Sequence, residues 1–270
     1  MRAFSLHSLK GLAVLVPLLL CGAAHAQGCP APKQMTFQVE SQIKRDVLGF
    51  TQGFEVHGDK LFESTGLIAG DTRLTTIDPR SGKVSVLANF GQSFFGEGLT
   101  ILHDQIYQLS WKEHAVFVYD LKGKLVRRMQ NPHEGWGLTN DGTNLIFTDG
   151  GDQLYYANPA NFQIIRSVPV RLRNMPLQAM NELEMVDGKT YSNVFLTWLI
   201  VRIDPRTGCV EAGARLNNLW DRMSEEEHRH IETDSNFVLN GIAYDAARKL
   251  FYVTGKDWMT IFTGHFVDSK

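Results

Sequence analysis

The run Phe94-Phe95-Gly96-Glu97-Gly98-Leu99-Thr100 sets one carboxylate between two glycines, behind a pair of aromatics and ahead of an apolar segment. Apolar surroundings lift a carboxyl pKa towards neutrality, so Glu97 has the makings of a proton-transfer group. The flanking glycines remove side-chain walls and let another group come close to the backbone there. A single motif of this kind is more often a solvated glutamate in a turn. Its weight comes from recurrence. A polar residue, usually followed by glycine, heads an apolar run at Gln52-Gly53, Trp136-Gly137, Asn181-Glu182 and Asn240-Gly241 as well.

These five leading positions are spaced 45, 39, 45 and 59 residues apart. Each run is followed by a turn (Gly58-Asp59, His103-Asp104, Asp141-Gly142, Asp187-Gly188, Asp245 to Arg248) and a second apolar run, the pattern of a hairpin. A second phrase, strand, Asp-Pro-like turn, strand, follows the first. Ile77-Asp78-Pro79-Arg80-Ser81-Gly82-Lys83-Val84 and Ile203-Asp204-Pro205-Arg206-Thr207-Gly208-Cys209-Val210 are its clearest copies. Four short strands per unit at this period predict an all-β five-bladed β-propeller, with four-stranded antiparallel blades around a central channel. Residues 33–49, with Phe37-Gln38-Val39, are expected to supply the strand that completes the last blade. The long interval before Asn240 holds a polar insertion at about 217–237, where Ser224-Glu225-Glu226-Glu227 matches a helix-capping pattern. His228-Arg229-His230 in that insertion reads as an exposed charged stretch.

In such a ring the first strand of each blade lines the channel. Gln52, Glu97, Trp136, Asn181 and Asn240 then face one another at one mouth, which is what a binding site requires. Mutual hydrogen bonding alone would also satisfy them, but a lone buried carboxylate costs stability unless it is used. Trp111-Lys112, Phe195 and Gly255-Lys256-Asp257-Trp258 follow the far ends of the hairpins as a second set.

Composition sets the limits. The chain has 270 residues, 43% hydrophobic and 21% charged, enough for a sizeable core. A formal net charge of -2 gives no electrostatic reason for nucleic acid as a partner. No side-chain spacing marks a metal site, a phosphate-cradling loop or a nucleophile elbow. Arg2 and Lys10, the apolar run Gly11 to Leu20 and Ala24-His25-Ala26 predict a secretory leader over residues 1–26, an exported (periplasmic or secreted) mature chain and no membrane anchor after cleavage. Residues 27–270 are then a single domain. Cys21 leaves with the leader; Cys29 and Cys209 either pair in an oxidising compartment or stand as two separate thiols.

Phe50-Thr51-Gln52-Gly53, Glu63-Ser64-Thr65-Gly66, Phe95-Gly96-Glu97-Gly98-Leu99-Thr100, Trp111-Lys112, Glu134-Gly135-Trp136-Gly137-Leu138-Thr139, Asn181-Glu182-Leu183-Glu184, Leu239-Asn240-Gly241 and Val253-Thr254-Gly255-Lys256 resemble, in order, the plant and bacterial type of glutaminyl-peptide cyclotransferase. The resemblance runs from about residue 37 to 263 and agrees with the five-fold repeat. It implies conversion of an N-terminal glutaminyl residue of a peptide or protein to pyroglutamyl, with loss of ammonia. It places proton transfer on Glu97, catalytic support on Asn181 and Lys256, and substrate contacts on Gln52, Asn240 and the aromatics Phe50, Phe95, Trp111 and Trp136. No cofactor is required; a channel metal held by backbone oxygens, as in some relatives, would leave no side-chain signature. The chain is expected to act as a monomer. Asn193-Val194-Phe195-Leu196-Thr197-Trp198 departs from the family's usual Asn-Val-Trp-Gln-Thr-Asp, so Phe195 stands in the wall without an indole N–H. The rival class is a non-catalytic periplasmic binding or scaffold module. A metal-dependent lactonase of the same architecture would need clustered carboxylates at the channel mouth, where the leading positions offer only one.

Overall fold

The computed structural model describes residues 28–66 and 70–269; the expected leader lies outside the described residues. Nearly all regular structure is β. After β1 (Lys33–Lys44) come three antiparallel sheets in which each strand pairs with the next. They are β2 (Thr51–His57), β3 (Lys60–Thr65), β4 (Arg73–Ile77) and β5 (Val84–Asn89); β6 (Gly96–Leu102), β7 (Gln105–Ser110), β8 (Ala115–Asp120) and β9 (Leu125–Gln130); and β10 (Leu138–Asn140), β11 (Leu145–Phe147), β12 (Gln153–Ala157) and β13 (Ile164–Pro169). A small hairpin, β14 (Arg171–Leu172) and β15 (Met175–Pro176), precedes the group β16 (Met180–Val186), β17 (Lys189–Val194), β18 (Leu199–Asp204) and β19 (Cys209–Arg215). The last strands are β20 (Leu239–Asp245), β21 (Leu250–Gly255) and β22 (Thr260–Asp268), which pairs with β1 from Met35↔Asp268 to Lys44↔Thr260. A short parallel bridge, Lys33↔Ala212 and Gln34↔Gly213, joins that final group to β19.

The hairpins form where the turn residues put them. His103 and Asp104 (φ 52° and 57°) and Asp187 and Gly188 (φ 49° and 74°) both adopt the doubly positive φ that matches the twist of the flanking strands. The first strands touch in a closed cycle, β2 to β6, β10, β16, β20 and back to β2. Five apolar clusters fill the interfaces between consecutive groups. Phe54, Leu61 and Ile77 meet Ala243, Tyr252 and Ile261 where the first group joins the last. Each fully buried side chain of this kind contributes about 1.5–3 kcal/mol.

Glycine after the leading polar residue has a steric cause. A Cβ on Gly98 would lie 2.5 Å from both Trp136 O and Leu138 N, and one on Gly137 only 1.9 Å from Asn181 O. The close approach expected from the sequence is made by the neighbouring first strand rather than by a ligand.

The insertion is part of the core. A 3-10 turn (Asn217–Arg222) leads to α1 (Glu225–Ile231), capped by the Ser224 hydroxyl accepting from Glu227 N–H. Buried Glu227 accepts from the Thr260 N–H (2.9 Å) and hydroxyl (2.6 Å). His228 and His230 are half-buried, not exposed: His228 stacks on Trp220 at 4.1 Å and His230 on Phe237 at 5.2 Å. Among the described residues no helix is long and apolar enough to cross a membrane.

Cys29 and Cys209 form a disulfide across a sequence separation of 180 residues. Cys209→Ser, compared with the parent in urea unfolding, is expected to lose about 2–4 kcal/mol, since a loop of this length restricts the unfolded chain strongly. The buried acids of the first strands give a second prediction. Burial raises Glu55 to about 7 and holds Glu182 and Glu184 well above the usual carboxylate range, so the native state keeps protons that the unfolded chain releases. Stability therefore falls as pH rises from about 4.5 through 7. Thermal midpoints are expected to be higher at about pH 5.5, within that window, than at about pH 8, above it, with a shallower slope in Glu184→Gln.

Candidate active site

Antiparallel pairing brings the start of each first strand level with the end of the second, as in Thr51↔Thr65, Gly96↔Ser110, Met180↔Val194 and Leu239↔Gly255. The leading residues and those that follow the hairpins therefore meet at one end of the ring. In β2, β6, β16 and β20 the register shifts at that point, between Thr51 and Gly53, Gly96 and Leu99, Met180 and Leu183, and Leu239 and Ile242. Gln52, Glu97, Asn181 and Asn240 sit in these bulges, which re-aim their side chains.

A cavity of about 240 Å³ opens there, lined by Phe50, Gln52, Phe95, Glu97, Trp111, Trp136, Asn181, Phe195, Asn236 and Lys256. Every expected site residue but one is in this wall. The exception is Asn240, fully buried one layer behind. Its Nδ2 donates to Thr51 O (2.9 Å) and to Gln52 Oε1 (3.3 Å), while Gln52 Nε2 donates to Glu97 Oε1 (3.3 Å). Asn240 thus orients the glutamine that touches the acid. Asn236, from the insertion, was not anticipated, because nothing in the local sequence ties it to the repeats. A wider depression of about 1200 Å³ beside Cys29–Cys209 lacks such convergence; Arg202 is paired there with Asp268 and Asp204 with Arg206.

Glu97 is 5% exposed, and burial drives its pKa well above the usual value. Lys256 opposes that rise, and the carboxylates of Glu113 and Glu134 add to it. Lys256, 3% exposed, is lowered by burial to about 8 against the pull of Glu97. Its Nζ lies 5.1 Å from the centre of the Phe50 ring and 4.6 Å from that of Phe195, within the range of cation–π attraction. The aromatic wall is continuous: Phe50 meets Phe95 edge-on at 6.2 Å, Phe95 meets Trp111 at 5.5 Å, and Trp136 meets Phe195 at 5.5 Å. Trp111 Nε1 is fixed by Glu134 Oε2 at 2.9 Å. Trp198 stands outside the pocket, packed on Trp258 and Trp220.

Two wall atoms are buried without a hydrogen-bond partner, the Trp136 indole N–H and Asn181 Oδ1. An unmade hydrogen bond of this sort costs about 1–3 kcal/mol, which a ligand carrying an acceptor and a donor would recover. Among the described residues no group of three or more His, Cys, Asp or Glu side chains is placed to hold a metal ion.

The family described as Glutamine cyclotransferase matches residues 12–266. The glutaminyl-peptide cyclotransferase of Arabidopsis thaliana is 34% identical over 228 residues, spanning 83% of this chain and 69% of that protein. The crystal structure of Myxococcus xanthus glutaminyl cyclase superposes with a TM-score of 0.76 at 28% identity, covering 88% of this chain and 100% of that one. The chain belongs to the glutamine cyclotransferase family.

Proposed function

We propose that this protein is a glutaminyl-peptide cyclotransferase whose proton-transfer group is Glu97. One observation carries the mechanism: a single carboxyl with a strongly raised pKa shares an aromatic pocket with one lysine and two unpartnered polar atoms. The substrate is a peptide or protein with N-terminal glutamine. Its α-amine attacks its own side-chain carboxamide carbon, forming the lactam C–N bond. Glu97 takes the proton that the attacking nitrogen must shed and passes it to the carboxamide nitrogen, which leaves as ammonia. The C–N bond to that nitrogen breaks, and Glu97 ends as it began. Ring closure and proton transfer exchange no electrons with a partner, so this scheme calls for no cofactor.

The remaining residues have work that follows from their chemistry. Negative charge develops on the carbonyl oxygen as the amine adds. The Trp136 indole N–H and the Lys256 ammonium supply a donor and charge to stabilise it, while Asn181 Oδ1 accepts from the substrate's nitrogen. Gln52, steadied by Asn240, holds the orientation of Glu97. Phe50, Phe95, Trp111 and Phe195 fold the flexible glutamine side chain over its own amine and exclude water.

The same reading describes the architecture as a five-bladed propeller of one domain, supported by the cycle of first strands and the five interfaces. It keeps residues 1–26 as an export leader with a periplasmic or secreted mature protein, supported by the Cys29–Cys209 disulfide, a bond suited to an oxidising compartment. It also keeps a monomer that needs neither nucleic acid nor membrane.

Ammonia release from short Gln-initiated peptides tests the proposal. Glu97→Gln is expected to lower kcat by roughly 100-fold or more while the protein stays folded. Persistence of activity would reject the mechanism, and absence of turnover in the parent over several peptides would favour a non-catalytic binding module. The pH profile of kcat gives a further check. Activity should rise as Glu97 ionises, on a limb well above the ordinary carboxylate range, and fall through about 8 as Lys256 loses its charge. In Lys256→Arg the falling limb is expected to move above pH ~10, because a guanidinium stays charged.

A further inference from the structure

Lys256 occupies an unusual backbone setting. The next residue, Asp257, has φ 60°, in the left-handed region, which Asp enters more readily than most residues and which its contacts here reinforce. Its N–H donates to Gly49 O at 2.9 Å, and the Lys256 N–H donates to Val238 O at 2.8 Å. The Asp257 side chain, 6% exposed, turns away from the pocket and meets His230 Nε2 on α1 at 2.8 Å. Asp257 is thus the chain neighbour of Lys256, with its carboxylate turned to His230 rather than to the ammonium. On the other side, His230 stacks on Phe237 at 5.2 Å, and Phe237 packs against the wall residue Phe50 at 6.2 Å. The helix is anchored separately by Glu227 on Thr260.

We propose that the His230–Asp257 pair is a positioning device for Lys256: α1 holds the turn after β21 in its left-handed form and so keeps the ammonium inside the aromatic wall. Without this contact the turn relaxes, and the lysine swings towards solvent. The inference rests on the reading that the Lys256 ammonium acts on the substrate. Of the helix's other charged groups, Glu225 pairs with Arg229, Glu226 faces Lys44 and Glu227 is engaged by Thr260.

The test reads kcat, KM and the falling limb of the kcat pH profile with a Gln-initiated peptide. His230→Ala is expected to lower kcat about ten-fold with KM within about two-fold, a loss of positioning rather than of binding. Its falling limb should shift up from about 8 towards the ordinary lysine value of 10.5 as the ammonium gains water. His230→Gln, which retains an N–H donor, should recover most of the loss. Asp257→Asn should show part of the shift if His230→Ala does not fold. Glu227→Gln loosens the same helix through Thr260 and should lower the melting temperature while leaving the limb in place. An unmoved limb in folded His230 and Asp257 variants, or an equal shift in Glu227→Gln, overturns the proposal. Lys256→Met separates the two readings. Wild-type kcat in that variant removes Lys256 from the mechanism, whereas collapse there with unmoved limbs in the pair variants removes only the positioning role.

Discussion

Neighbouring first strands of this ring lie side by side without a shared backbone ladder, so axis-facing backbone groups must find partners elsewhere or remain unsatisfied at high cost. Side chains supply them. Glu55 accepts from Ile101 N–H and the Thr100 hydroxyl, linking β2 to β6, and Asn140 donates to Ile101 O, linking β6 to β10. The Thr139 hydroxyl accepts from Met185 N–H between β10 and β16. Glu182 accepts from both Phe54 and Ile242, and Glu184 from Tyr244, tying β16 to β2 and β20. Asn240 closes the circuit on Thr51 O. Three carboxyls stay buried among the first strands, with raised pKa values, because they hold those strands together.

Glu97 belongs to the same buried acidic population but differs in its partners. Glu55, Glu182 and Glu184 each accept from a backbone N–H, whereas Glu97 receives only the long contact from Gln52. Its lone pairs are open to the cavity. Burial raises all four, and only at Glu97 is the proton exchangeable with a guest without loosening the ring. The acid that lines the cavity is thus the one of these four that is not tying strands together.

Much of this was legible because it is local. Turn dipeptides, alternating runs and their recurrence state the strand grouping, and the leading polar residues mark the end of the ring where the cavity opens. The parts misjudged depend on contacts between residues distant in sequence. Gly98 and Gly137 are small because another strand passes them, which no window around them reveals. Asn240 has the same local signature as Gln52 yet lies behind it, because the bulge in each strand sets its depth. The charges of the insertion suggest a solvated stretch when read without partners, although Glu227 and His230 share one helix face, where Glu227 reaches the start of β22 and His230 the turn after β21. The cysteines offered two outcomes, and only the meeting of chain start and β19 decides between them.

The pairing of β1 with β22 fixes the order of events during synthesis. Among the described strands, the one spanning Lys33–Lys44 is made before all others, and its partner, Thr260–Asp268, after all others. Until then β1 has no antiparallel edge to join, and the interface between the first and final groups cannot assemble. Contacts of such sequence separation slow folding and lengthen the life of unpaired edges. The interface between the first and final groups therefore stays open, and in need of protection from aggregation, until β22 is made.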